Sequence, residues 1–173
     1  MGHSQFVHLH NHTDYSLLDG ACKTQELVEA ARRFRMPALA ITDHGNMFGA
    51  VEFYDVARKA GLKPLLGCEV YVARGSRKTR GKEAGAQTDH LVLLAATNEG
   101  YRNLLKLVSI GYLEGFYYTP RVDREVLSQY AAGLIALSGC LSGEVARVAA
   151  RGEVDATAAC ASGLAGIFGK DCF

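Results

Sequence analysis

The feature that most restricts the fold is an alternation in the apolar pattern. Short β-branched and aliphatic runs, each bounded by Gly, Pro, Asp or Asn, are separated by longer amphipathic stretches. A chain with that rhythm folds as repeated strand-helix units around a mostly parallel sheet or barrel, so the fold class read is α/β. The spacing predicts strands at Gln5 to His10, Ala38 to Thr42, Leu65 to Val72, His90 to Ala95 and Leu134 to Leu137. Five strands are too few to close a barrel. Helices are expected at Thr24 to Phe34, where Leu27, Ala30, Ala31 and Phe34 form one apolar stripe, and at Ala50 to Ala60, Tyr101 to Ile110 and Gly143 to Ala150. A further helix is expected at Asp155 to Phe168, against the helix-weakening effect of its glycines.

At 173 residues, about half of them apolar, the chain is long enough to bury the core of one domain. Its net charge of +1 rules out a nucleic-acid binder held by bulk electrostatics and leaves only a local patch for DNA. Five cysteines, odd in number, widely spaced and without a Cys-x-x-Cys pair, argue against a disulfide scaffold and for a reducing compartment. The polar N-terminus and the lack of a long apolar run predict a soluble, cytoplasmic protein with no membrane partner. Between two expected strands, Arg74 to Lys82 carries Arg74, Arg77, Lys78, Arg80 and Lys82 with no apolar residue. It reads as a solvated loop, with phosphate steering as the alternative.

The sharpest local signal is His8-Leu9-His10-Asn11-His12. Strand side chains alternate, so three imidazoles two residues apart can converge on a metal. A purification tag would place histidines in unbroken tandem, whereas these alternate and lead into Thr13-Asp14-Tyr15-Ser16. A second cluster, Ile41-Thr42-Asp43-His44-Gly45, ends an apolar run in an acid and an imidazole, the place where α/β barrels put their chemistry. Asp43 is either a ligand or a residue that orients a liganding histidine. In Gly67-Cys68-Glu69-Val70-Tyr71, a carboxylate interrupts a run that should be buried. Glu69 must face solvent at an edge or bridge cations that neutralise it. Asp19, His90 and Cys140 are ordinary when taken singly: a turn residue before Gly20, a surface histidine at a strand start, an inert thiol after a strand.

The order of these motifs resembles the PHP (polymerase and histidinol phosphatase) superfamily. The relevant runs are Phe6-Val7-His8-Leu9-His10-Asn11-His12-Thr13, Asp19-Gly20, Ile41-Thr42-Asp43-His44-Gly45 and Gly67-Cys68-Glu69-Val70. Tyr15-Ser16-Leu17-Leu18-Asp19-Gly20-Ala21, Met36-Pro37-Ala38-Leu39-Ala40 and Tyr101-Arg102-Asn103-Leu104 are similar to the branch found in bacterial DNA polymerase III alpha subunits. The resemblance implies a distorted (β/α)7 barrel whose C-terminal mouth holds up to three divalent ions, zinc or manganese, with iron in some members. It implies His10, His12, Asp19, His44, Glu69, His90 and Cys140 as ligands, with Glu69 bridging. His8 stands where many members have aspartate and is placed, with Asp43, behind the ligands. The family's late Asp-x-His pair has no counterpart after Cys140. Residues 1–173 are therefore expected to be the N-terminal portion of the PHP domain, incomplete at its C-terminal end.

The expected activity is 3′ to 5′ exonuclease proofreading, with a metal-bound hydroxide as nucleophile and two-metal clamping of the phosphodiester. The implied partners are DNA primer-template and the remaining domains of the polymerase subunit. A non-catalytic scaffold that docks a separate proofreading exonuclease subunit is the first rival, since a metal cage also stabilises a fold. A free-standing phosphatase acting on a small phosphomonoester is the second.

Overall fold

The computed structural model describes residues 2–81 and 87–173. Five strands form one sheet: β1 (Ala38–Ile41), β2 (Lys63–Ala73), β3 (Thr88–Ala95), β4 (Arg121–Val122) and β5 (Leu134–Leu137). Their order is β1-β2-β3-β5, with β4 also paired to β2. β1 and β4 run parallel to β2, while β3 is antiparallel to both β2 and β5. The sheet is thus mixed rather than mostly parallel. Among the described residues no helix lies between β2 and β3, and the two strands pair antiparallel, which needs no crossover connection.

Alternation along the strands divides the sheet into two faces. One carries Cys68, Val70, Val72, Leu91, Leu93, Leu134 and Ala136, all buried. It is covered by α3 (Asn98–Leu113), α4 (Arg124–Gln129) and α6 (Val154–Phe168) through Leu104, Leu107, Val126, Leu127, Leu164 and Phe168. Leu104 and Leu107 are fully buried, and each contributes roughly 1.5–3 kcal/mol of transfer free energy. A second cluster packs α1 (Thr24–Arg33) and α2 (Ala50–Lys59) on β1 through Val28, Ala31, Leu39, Ile41, Phe53 and Ala57. The short α5 (Glu144–Ala149) precedes α6.

The opposite face carries Glu69 and Tyr71 of β2, His90 of β3 and, lower down, Ala40, Leu65, Val92 and Leu94. Among the described residues the sheet does not close, and the lower part of this face opens into a cavity of about 760 Å³ bordered by Leu9, Leu65, Leu94, Ile135 and Leu137. The polar upper part is the candidate site.

Gln5 to His10 does not form the expected strand. The Ala40 N–H donates to the His8 carbonyl at 3.0 Å and the Thr42 N–H to the Asn11 carbonyl at 2.8 Å. Two steps on β1 therefore match three on the N-terminal segment. That extra residue interrupts a regular ladder, and the Asn11 side chain fills the gap by donating to the Ala40 carbonyl at 3.0 Å.

The basic stretch is also less solvated than expected. Arg74 donates to the Asp89 carboxylate, and buried Arg77 is enclosed by Asp123, Glu114 and Glu125. Lys78 and Arg80 are exposed, and Lys82 lies outside the described residues. No helix among the described residues is long and apolar enough to cross a membrane.

Candidate metal centre

Glu69 is 1% exposed, and four imidazoles surround its carboxylate. β2 fixes the carboxylate, while β3 brings His90 beside it: His90 stands opposite Tyr71 in the register, one same-face step from the Glu69 pair. His90 Nδ1 lies 2.5 Å from Glu69 Oε1. His10 Nε2 contacts Oε2 closely, and His12 Nε2 stands 3.1 Å from the same oxygen. His44, just beyond β1, forms a bridge with Glu69 through the backbone and holds its Nδ1 3.9 Å from Oε1. The rings of His12 and His44 stack at 4.1 Å and 7°.

Asp19 reaches the cluster from a 3-10 turn, Asp14–Asp19, begun by Thr13, whose hydroxyl accepts from the Tyr15 N–H. Leu17 at φ 38° kinks this turn, and Asp19 Oδ2 meets His44 Nε2 at 2.5 Å. Gly20 closes the turn because a Cβ there would fall 1.7 Å from the Thr13 carbonyl oxygen. Asp43 is 1% exposed and stands behind the imidazoles, accepting from the Thr13 N–H at 2.6 Å, the Thr13 hydroxyl at 2.8 Å and the Ser16 hydroxyl at 2.7 Å.

Cys140 is brought to the edge of the cluster, its sulfur 3.7 Å from Glu69 Oε1 and 3.6 Å from His90 Nδ1. The His90 N–H donates to the Ser142 carbonyl, which ties the Cys140 loop to β3. His8 is placed differently. It is exposed, with its ring edge-on to Phe6 at 4.7 Å, because the extra residue opposite β1 breaks the alternation that would align it with His10 and His12.

The sequence reading missed Ser16, Tyr71 and Asn46. Tyr71 stacks on His44 at 5.8 Å and meets His90 edge-on at 5.1 Å. Its place two residues after Glu69 on one strand was the available signal. Buried Asn46 donates to the carbonyls of Tyr15 and His44 and accepts from the Phe48 N–H.

Burial favours the neutral form of Glu69, but the hydrogen bonds from His10, His12 and His90 outweigh it and hold the carboxyl well below the usual carboxylate range. The hydrogen bond to Glu69 raises His12 against the opposing effect of burial, while burial lowers His44.

These groups suit divalent ions. The Ser16 hydroxyl donates to Asp43, so it can only accept from His12 Nδ1, 3.4 Å away, which leaves the lone pair of His12 on Nε2 facing a Glu69 oxygen. Such a facing pair is held either by a second proton on His12, as in the hydrogen bond to Glu69 above, or by a divalent ion that takes its place. Buried His44 Nδ1 has no hydrogen-bond partner among the described residues. Its 3.9 Å separation from Glu69 can be spanned by two ligand bonds of about 2.0–2.2 Å to one ion. Three overlapping groups result: His10, His12 and Glu69; His12, Asp19 and His44; and His44, Glu69 and His90.

Comparisons with known proteins identify the family of the chain. The chain is 51% identical over 151 residues to the DNA polymerase III subunit alpha of Chlamydia trachomatis, covering 87% of this chain and 12% of that protein. It is 49% identical over 173 residues to the DNA polymerase III subunit alpha of Thermus aquaticus, covering 98% of this chain and 14% of that protein. It thus spans about an eighth of the length of these relatives. Among solved structures, an amidohydrolase from Chromobacterium violaceum with bound sulfate is similar at a TM-score of 0.44 and 29% identity, over 61% of this chain and 33% of that one. The PHP domain family matches residues 8–173, almost the whole chain, and the chain belongs to that family.

Proposed function

We propose that the chain is a metal-dependent phosphoesterase site, the PHP domain of a bacterial replicative DNA polymerase III alpha subunit, and that it removes 3′-terminal nucleotides as a proofreading exonuclease. The observation that carries this reading is that Glu69, whose two carboxylate oxygens can each take an ion, belongs to two overlapping donor groups, His10, His12 and Glu69 on one side and His44, Glu69 and His90 on the other, so that it can join neighbouring ions. Divalent ions there, zinc, manganese or iron, supply charge neutralisation for the phosphoryl oxygens and an activated water.

His10 and His12 would hold one ion from the N-terminal segment, Asp19 and His44 would hold another, and His90 with Cys140 would serve the far side. Glu69 joins two of the groups from beneath. Asp43 acts through Ser16 and Thr13: it keeps the proton of His12 on Nδ1 and the lone pair on Nε2, toward the ions. Tyr71 walls the site behind His44 and His90 and limits water on that side. In this reading the attacking group is water, and the residues' work is positioning and electrostatic stabilisation. DNA primer-template and the other domains of a longer polymerase polypeptide are the partners this reading implies.

The test is His12→Ala in the full-length polypeptide, assayed on a 5′-labelled DNA strand. Loss of strand shortening that added zinc or manganese does not restore supports the reading. Unchanged shortening overturns it.

A further inference from the structure

Beside the donor groups lies a row of exposed aromatic rings that the phosphoesterase reading does not use: Phe48 (63% exposed), Tyr112 (38%) and Phe116 (47%). The Phe48 and Tyr112 ring centroids are 6.2 Å apart, and Tyr112 stacks toward Phe116 at 6.1 Å and 20°. We propose that this row is a stacking platform for the bases of single-stranded nucleic acid, holding the strand whose 3′ end enters the metal centre. The proposal rests on the phosphoesterase reading for the direction in which the strand runs.

The row begins at the centre and is rigidly joined to it. Phe48 lies four residues after His44, and the Asn46 side chain holds both: its Nδ2 donates to the His44 carbonyl at 3.0 Å and its Oδ1 accepts from the Phe48 N–H at 3.0 Å. On the other side, Gly45 at φ +63° lets the chain pass against Pro120 and Tyr71, where a Cβ would fall 2.7 Å from the Pro120 ring. Gly111, next to Tyr112, packs on the same proline. Tyr112 is therefore set one residue from a contact that also touches the residue after His44.

The far end of the row carries cations. Arg80 Nη1 donates to the Phe116 carbonyl at 2.6 Å, and Arg80 is exposed. Lys78, 66% exposed, stands 4.0 Å from Glu114, a carboxylate already engaged by Arg77. The near end has the charge of the ions, the middle has flat rings and the far end has Arg80 and Lys78. That order matches a strand whose scissile phosphate, bases and distal phosphates each need a different partner. Aromatic faces accept any base, which suits a site that must take every 3′ terminus. Rows of exposed rings are also uncommon on a surface with no ligand to cover them.

The experiment uses the full-length polypeptide and an oligothymidylate bearing 4-thiothymidine near its 3′ end, photo-cross-linked and mapped by peptide mass spectrometry. Strand shortening is followed in parallel. Cross-links at Phe48, Tyr112 or Phe116 are expected. Their yield should fall by about tenfold or more in F48L/F116L, given the usual cost of losing a base stack. It should return in F48Y/F116Y, which restores the rings without the original residues. Cross-links that map elsewhere, or a yield unchanged in F48L/F116L, overturn the platform, as does finding the three rings already covered by other parts of the polypeptide in footprinting. Cross-linking to the row without any strand shortening supports the platform and overturns the phosphoesterase reading, so the two fail separately.

Discussion

Glu69 Oε1 and His90 Nδ1 meet at 2.5 Å across the antiparallel pair β2 and β3. The contact joins a fully buried carboxylate to a ring that opens toward the mouth of the sheet. It exists because the antiparallel register of β2 and β3 puts His90 one same-face step from Glu69. Glu69→Gln keeps the volume and removes the charge that two donor groups share. Loss of a residue that merely orients a ligand commonly lowers metal affinity 10–100-fold, so a larger fall, beyond about 100-fold, is expected here in a chelator competition.

Asp43 makes three hydrogen bonds in full burial. Asp43→Ala removes Oδ1, which the Thr13 N–H and the Ser16 hydroxyl share, and Oδ2, which the Thr13 hydroxyl uses. The expected cost is about 2 kcal/mol, seen as a lower urea midpoint with an unchanged slope. Metal affinity should fall about 10-fold, because Ser16 no longer holds His12.

Arg77 closes the base of the loop after β2 by pairing with Asp123, which also caps α4 by accepting from the Val126 N–H. Arg77→Met leaves that buried carboxylate without its cation, and a loss of about 3–5 kcal/mol is expected in denaturant unfolding. Arg77 lies outside the donor groups, so metal content per folded molecule should not change.

Gly20→Ala places a methyl group where the Thr13 carbonyl oxygen stands. The turn must open to admit it, at a cost of about 1–3 kcal/mol in thermal unfolding. Opening the turn withdraws Asp19 from His44, and Asp19 belongs to one of the three groups. The variant should therefore lose one ion while keeping those held by Glu69.

Much of this was legible in the sequence because it rests on local rules. Leu134–Leu137 was read at its observed bounds, and Thr24–Arg33 and Ala50–Lys59 within a residue, since apolar periodicity marks such segments directly. The two-residue β4 and six-residue α4 are too short to show a period and were missed. Capping residues were the remaining signal: Thr97 accepts from the Gly100 N–H and starts α3 three residues before its apolar stripe becomes visible. The His-x-His pattern marked the N-terminal donors, but strict alternation carried the expectation too far. One extra residue against β1 leaves His8 on the surface beside Phe6. Glu69 was legible as an anomaly, a charge inside an apolar run. The supporting roles of Ser16, Asn46 and Tyr71 depend on contacts between distant segments that no local pattern records.

The most direct test of the central claim is elemental analysis of the purified full-length polypeptide, prepared without added metal, beside Glu69→Gln. More than one equivalent of divalent ion per chain, with a clear fall in the variant, is the predicted result. Equal and negligible metal in both proteins would contradict the metal centre and the phosphoesterase chemistry built on it.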